Sequence, residues 1–384
     1  MVKKTAVSMS RRQILGGAVA LGTFGFPMIN RGYYAASAAS PRAYSKRVID
    51  LMASSTVIDM LSSFKLDESD GFFERPLSPQ DEKDFRSSGI NCLHVAPGVG
   101  GADAQLAVAS TLAKLQNFAG RHSYLFSIVD KAVDIARAKR DGKIAVIIGI
   151  QNSEHFQGTD DVKRFYELGQ RVSQLTYNSQ NLIGSGSTDR VDGGVSDFGA
   201  GIIAAMNEIG MLIDVSHCGD HTTLDAIGLS KGPIAITHSN CRALNNHPRT
   251  KTDEAIKACA ARGGVMGITG VRMFVSSKEP TTLGDMVDHI DHVVKLVGID
   301  HVGLGSDVDM YGYDHMSPAA IAQARASYKS SYAIREKADI EGLDNPLKMF
   351  NLVEELVRRN YSNENIAKIL GKNFERLLTT VWRG

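Results

Sequence analysis

This chain has no apolar run fit to cross a membrane: residues 15–29, its hydrophobic stretch near the N-terminus, are too short and too rich in glycine for a span. Cysteine is scarce, with Cys92, Cys218, Cys241 and Cys259 and no C-x-x-C pair, which excludes a disulfide scaffold in a chain of 384 residues. Neither sign of charge dominates, since 43 Lys and Arg face 42 Asp and Glu. With no Lys/Arg-rich stretch to track phosphates, nucleic acid is excluded as a partner. A G-x-G-x-x-G after the first expected strand is also missing, which argues against a dinucleotide fold. What remains is a globular balance of 43% hydrophobic and 22% charged residues, enough to bury a large core.

The N-terminus reads as an address. Ser10-Arg11-Arg12-Gln13-Ile14-Leu15 is a twin-arginine pattern ahead of the weakly apolar run, and Ala36-Ser37-Ala38 has the A-x-A form of a signal-peptidase site. Residues 1–38 are therefore expected to be a removable signal, and 39–384 a single domain exported, to the periplasm for example, through the twin-arginine machinery. The five bases of 1–38 (Lys3, Lys4, Arg11, Arg12, Arg31) have no acid beside them, so their removal leaves 38 bases against 42 acids, a net charge of −4. Export would permit one disulfide, with Cys218 and Cys241 the pair to check, although free buried thiols are the expected state.

Short β-branched runs alternate with longer amphipathic ones. Strands are expected at 57–59, 91–95, 144–150, 174–176, 212–214, 234–237, 265–267 and 302–305, with helices at 103–119, 161–168, 200–209, 222–227, 252–261 and 283–297. Eight strands with intervening helices and no hairpin signal predict an α/β fold, a (β/α)₈ TIM barrel; an open doubly wound sheet is the other arrangement this order allows. Residues 346–384 add two C-terminal helices under the barrel.

In such a barrel the chemistry collects at the C-terminal ends of the strands. The fifth expected strand runs into Asp214-Val215-Ser216-His217, the sixth into Thr237-His238-Ser239-Asn240, and the eighth into Gly305-Ser306-Asp307. Two imidazoles and a carboxylate on one rim suit Zn²⁺ and a water it activates. Asp307 is left with two roles, metal ligand or general base. Arg242 is either a clamp for a substrate carboxylate or a loop-pinning cation. The aromatic loop 309–315 forms a pocket wall or lid, with Tyr311 as its substrate-facing residue, and the Gly-Ser segment at 184–187 and Gly193-Gly194 read as a flexible loop near the site. His94 is expected to support the site from behind, and the remaining histidines to be structural or solvated.

These stretches, with His247-Pro248-Arg249, Ile299 to Asp307 and Gly371-Lys372-Asn373-Phe374, resemble the membrane (renal) dipeptidase family of amidohydrolase-type metallopeptidases across residues 45–380. The resemblance implies a metallo-dependent hydrolase barrel, often dimeric, with two zinc ions and dipeptide substrates that include those with a C-terminal D-residue. It assigns His217 and His238 to one metal, Arg242 to the substrate carboxylate and Asp307 to the catalytic water. Elsewhere the chain departs from the pattern. The H-x-D pair of the first strand is replaced by Leu61 and Ser63, the bridging Glu by Gln151, and a transition-state His by Tyr177. Leu cannot ligate zinc, and a neutral amide cannot balance two cations. A single zinc ion is therefore expected on His217 and His238, with Gln151 as a weak extra ligand and Asp59, Glu154 or His155 as replacement ligands to test.

Three functions follow: a mononuclear hydrolase of a small peptide or amide; a tautomerase or isomerase maturing an exported peptide-derived compound, with Tyr177 and Asp307 as acid and base; or an inactive binding homologue.

Overall fold

The computed structural model describes residues 44–326 and 328–382, so the signal expected at 1–38 lies outside the described residues. Nine parallel strands form the sheet: β1 Ile58–Ser62, β2 Cys92–Val95, β3 Phe126–Ile128, β4 Ile144–Ile150, β5 Val172–Gln174, β6 Leu212–Asp214, β7 Ala235–Ser239, β8 Val265–Ile268 and β9 Val302–Leu304. Eight of them pair in the order β1-β2-β4-β5-β6-β7-β8-β9, and β3 lies off this path against β4. A parallel bridge from Ser62 to Val308 and the bond from the Asp307 N–H to the Leu61 carbonyl (2.8 Å) bring the last strand back to the first. The result is a (β/α)₈ barrel rather than an open sheet.

Burial explains the strands. β4, Ile-Ala-Val-Ile-Ile-Gly-Ile, is buried at every position, as a parallel strand covered on both faces must be. β3 escapes the sequence pattern because only Phe126 of its three residues is buried. β5 begins two residues earlier than its pattern suggests, since Val172 and Ser173 pair with Leu212 and Ile213. The helix Leu283–Val297 opens on a Thr282/Asp285 capping box and turns one face inward, with Met286 and Val287 followed at helical spacing by Ile290 and Val293.

The C-terminal helix Asn373–Val381 stops the bottom of the barrel. Phe374, Leu377, Leu378 and Trp382 pack with Ile58, Met60, Cys92, Ile147, Leu212 and Val265 in one apolar cluster. With that end covered, the cavity lies at the other, where Leu61, Gln151 and Asp307 line it. All four cysteines are buried free thiols, so no Cys218–Cys241 disulfide forms; the Cys218 sulfur accepts from Thr176 and the Cys241 thiol donates to the His289 carbonyl.

On one side the strands approach so closely that glycine is required. A Cβ at Gly267 would sit 2.0 Å from the Thr237 carbonyl oxygen of β7. Gly267→Ala is expected to lower stability by about 1–3 kcal/mol, the usual cost of forcing a methyl into a packed interior; urea unfolding would measure it, and an unchanged midpoint would show that β7 and β8 can separate.

Candidate active site

Beyond the sealed floor, His94 points inward from β2. Its Nδ1 donates to the Met60 carbonyl at 2.6 Å, its Nε2 has no partner, and Gly149 leaves it room, since a Cβ there would stand 2.2 Å from that nitrogen. Burial holds His94 below the ordinary histidine range, so it is neutral.

His217 and His238 come together as expected. Their Nε2 atoms face each other at 2.9 Å, and burial pushes both far below the ordinary histidine range, with Arg249 acting in the same direction. The outer nitrogens fix the tautomers. The Thr237 hydroxyl donates its single hydrogen to Asp214 at 2.6 Å, so at His238 Nδ1 (2.8 Å) it accepts, which leaves His238 Nε2 as a bare lone pair. Asn178 presents its carbonyl oxygen to His217 Nδ1 at 2.7 Å, which makes His217 Nε2 a lone pair too. Two lone pairs aimed at each other repel unless a cation lies between them, and outer hydrogen bonds of this kind are how metal-binding imidazoles are held.

The donor set around them is thin. Leu61 and Ser63 line the cavity above the site and offer no ligand. Gln151 also lines it, with its amide N–H on the Ala96 carbonyl and its Oε1 buried without a partner, free to accept or ligate. The replacement ligands are committed elsewhere: Asp59 accepts from the Ser306 N–H and hydroxyl, Glu154 from the Gly101 N–H, and both His155 nitrogens are bonded, to Asn152 and Gln170. Among the described residues no three His, Cys, Asp or Glu side chains gather as a metal cage. His217 and His238 are the imidazoles here that could hold an ion between them.

Asp307 follows β9 with φ +62°, a left-handed conformation that aspartate tolerates better than most residues, and its carboxylate faces the cavity. Enclosure by protein raises it to about 7, with Asp59 adding to the rise and Arg249 opposing it. Tyr313 donates to it at 3.4 Å. Tyr177 stacks on His217, ring centroids 4.4 Å apart, and its hydroxyl meets that of Tyr328 at 3.0 Å.

Two expected substrate contacts are not where the sequence put them. Arg242 does not line the cavity; its guanidinium pairs with Asp220 and bonds the Thr250 and Pro248 carbonyls, the loop-pinning role. Tyr311 is bonded to Asp84 beneath Lys65, and it is Tyr313 and Asp314 of the same loop that reach the cavity. The Gly-Ser loop is pinned rather than free, because Asp192 accepts from the His221 and Thr222 backbone and Gly186 lies against Asn178, where a Cβ would meet backbone at 2.1 Å.

Arg249 was overlooked as a site residue. It is 1% exposed, its guanidinium bonds the Ser216 and His238 carbonyls, and it is the cation nearest the histidine pair in effect. The signal was the motif His247-Pro248-Arg249 itself: His247 accepts the Arg249 N–H at 3.0 Å and sets the turn.

The cavity over these groups holds about 280 Å³. It is close to the lower end of the roughly 300–1,000 Å³ common for small-ligand sites.

Comparison with known proteins identifies the family. The family model of membrane dipeptidases, peptidase family M19, matches residues 83–317. Dipeptidase verJ of Clonostachys rogersoniana is 31% identical over 264 residues, 68% of this chain and 61% of that protein, so the chain spans about three fifths of that relative's length. An amidohydrolase from Pseudomonas aeruginosa superposes with a TM-score of 0.75 at 30% identity, over 87% of this chain and 99% of the other. The probable dipeptidase PvdM from the same organism shares the fold, with a TM-score of 0.72 at 19% identity over 88% of this chain and 98% of its own.

Proposed function

The chain belongs to the membrane dipeptidase family M19, and from that premise we propose that it is an exported, dipeptidase-like hydrolase of a small peptide or amide, with one metal ion on His217 and His238. The facing Nε2 lone pairs, 2.9 Å apart, carry this reading. Zinc held there would polarise the scissile carbonyl and acidify a water, lowering its pKa toward about 7. Gln151 Oε1 is a further buried oxygen at the cavity with no partner to give up.

The chain's own groups supply the rest. Asp307, poised near pH 7, takes the proton of the attacking water and returns it to the leaving amine. Arg242 is paired with Asp220, and Arg249, buried on the Ser216 and His238 carbonyls, does not line the cavity, so its positive charge would act on a substrate carboxylate from behind the histidine pair and not by direct contact. Tyr177 keeps the His217 ring in plane and excludes water from its face. The missing second ion removes charge stabilisation, so turnover of ordinary dipeptides should be slow. Export rests on the twin-arginine pattern at residues 10–15.

A second reading is favoured by the thinness of the ligand set: no metal takes part, and Asp307 with Tyr313 moves a proton on the substrate without hydrolysis. Metal content and product mass separate the two. Purified without chelator, the protein is expected to hold one zinc per chain, lost in the His217→Ala/His238→Ala variant, and to add the mass of water to its substrate. Two ions per chain would refute the single-ion site; no ion and an unchanged product mass would establish proton transfer.

A further inference from the structure

We infer that the substrate carries an aromatic ring, seated in the cavity beside Asp307. This rests on the reading of that cavity as the active site and adds the chemical class of the group it selects.

Where a two-metal site would place charged ligands, this chain puts Leu61 and Ser63, and the space is walled by rings. Tyr328 and Tyr332 stack face to face, centroids 4.4 Å apart and 6° from parallel, with Phe274 edge-on to Tyr332 at 5.6 Å. Beside them, with its hydroxyl against that of Tyr328, Tyr177 lies flat on His217. The phenol ends are occupied, Tyr177 with Tyr328 at 3.0 Å and Tyr313 on Asp307 at 3.4 Å, so what these side chains offer a ligand is ring surface. Met273 and Met316 add thioethers, which pack favourably on aromatic edges. Flat walls favour a planar ring over an aliphatic group of equal size, because stacked and edge-on pairs gain beyond the area they bury. Polar Gln151 and Asp307 line the same cavity and provide the place for the amide.

The test is binding, so that it does not depend on turnover. Calorimetry would compare ketomethylene isosteres, which cannot be hydrolysed, of Ala-Phe, Ala-cyclohexylalanine and Ala-Ala, in both configurations of the second residue. The phenyl compound is expected to bind roughly twofold to tenfold more tightly than the cyclohexyl one, and both more tightly than the methyl one. Tyr328→Leu should erase the phenyl preference and Tyr328→Phe should retain it. Equal binding of phenyl and cyclohexyl, a methyl compound that binds as well, or no binding at all would overturn the inference. If the aromatic compound binds but the matching peptide is not cleaved, hydrolysis fails while the substrate class stands; if Ala-Ala is cleaved as well as Ala-Phe, the reverse holds.

Discussion

Asp307→Asn is expected to cut turnover by about 10²–10⁴-fold, the range for loss of a positioned general base, while leaving the fold intact. Asparagine tolerates the left-handed backbone at this position and keeps the side chain's shape, so the Asp307 N–H can still bond the Leu61 carbonyl. The pH dependence separates this role from a structural one. The wild-type rate should rise through an apparent pKa near 7 as the carboxyl ionises, and that limb should vanish in the variant. Stability provides an independent check. Because the carboxyl sits near 7 in the folded protein and near 3.8 when unfolded, the folded state binds the extra proton between those values. Its contribution is therefore most favourable below about pH 4 and is lost as pH rises toward and past 7. The variant should be relatively more stable at pH 8 than at pH 5. A rate within tenfold of wild type, with its pH limb intact, would remove Asp307 from the proposal.

The fold was legible because its signals are local. Fully buried parallel strands such as β4 leave unbroken β-branched runs, and eight of these with helices between them leave few topologies open. The histidine pair was legible for a related reason: in a barrel the chemistry collects at the C-terminal strand ends, and His238 lies near the end of β7 while His217 follows β6 by three residues. Arg242 and Tyr311 could not be placed from the sequence because loop residues lack such a constraint. Each is a long side chain with an acid within reach, Asp220 for one and Asp84 for the other, and the ion pair or hydrogen bond decided where it went. The ring wall was hidden more deeply. Tyr177 and Phe274 are almost a hundred residues apart, and Tyr328 and Tyr332 belong to an excursion after β9 with no strand to set its register.

The same logic locates the largest stability effect in a residue with no motif. Lys348, at the start of the helix Lys348–Arg358, is fully buried and donates to the Ser306 hydroxyl at 2.9 Å and to the Val308 and Asp309 carbonyls, while its ammonium lies 3.4 Å from Asp59, also fully buried. Asp59 in turn accepts from Ser306, so both charges grip the turn that carries Asp307. Lys348→Met fills the space but leaves the Asp59 carboxylate without its counter-charge in a site sealed from water. Breaking a buried pair in this way costs about 3–5 kcal/mol, which urea unfolding would register as a large drop in midpoint. Asp59→Asn combined with Lys348→Met removes both charges and should recover much of that loss, since a neutral pair has no uncompensated ion to bury. The two readouts must then part company: the double variant regains stability but not full turnover, because an uncharged Asn-Met pair no longer fixes the Ser306 hydroxyl and the Val308 and Asp309 carbonyls of the turn that aims Asp307. If stability and turnover return together, the Asp59–Lys348 pair stabilises the barrel without positioning its base.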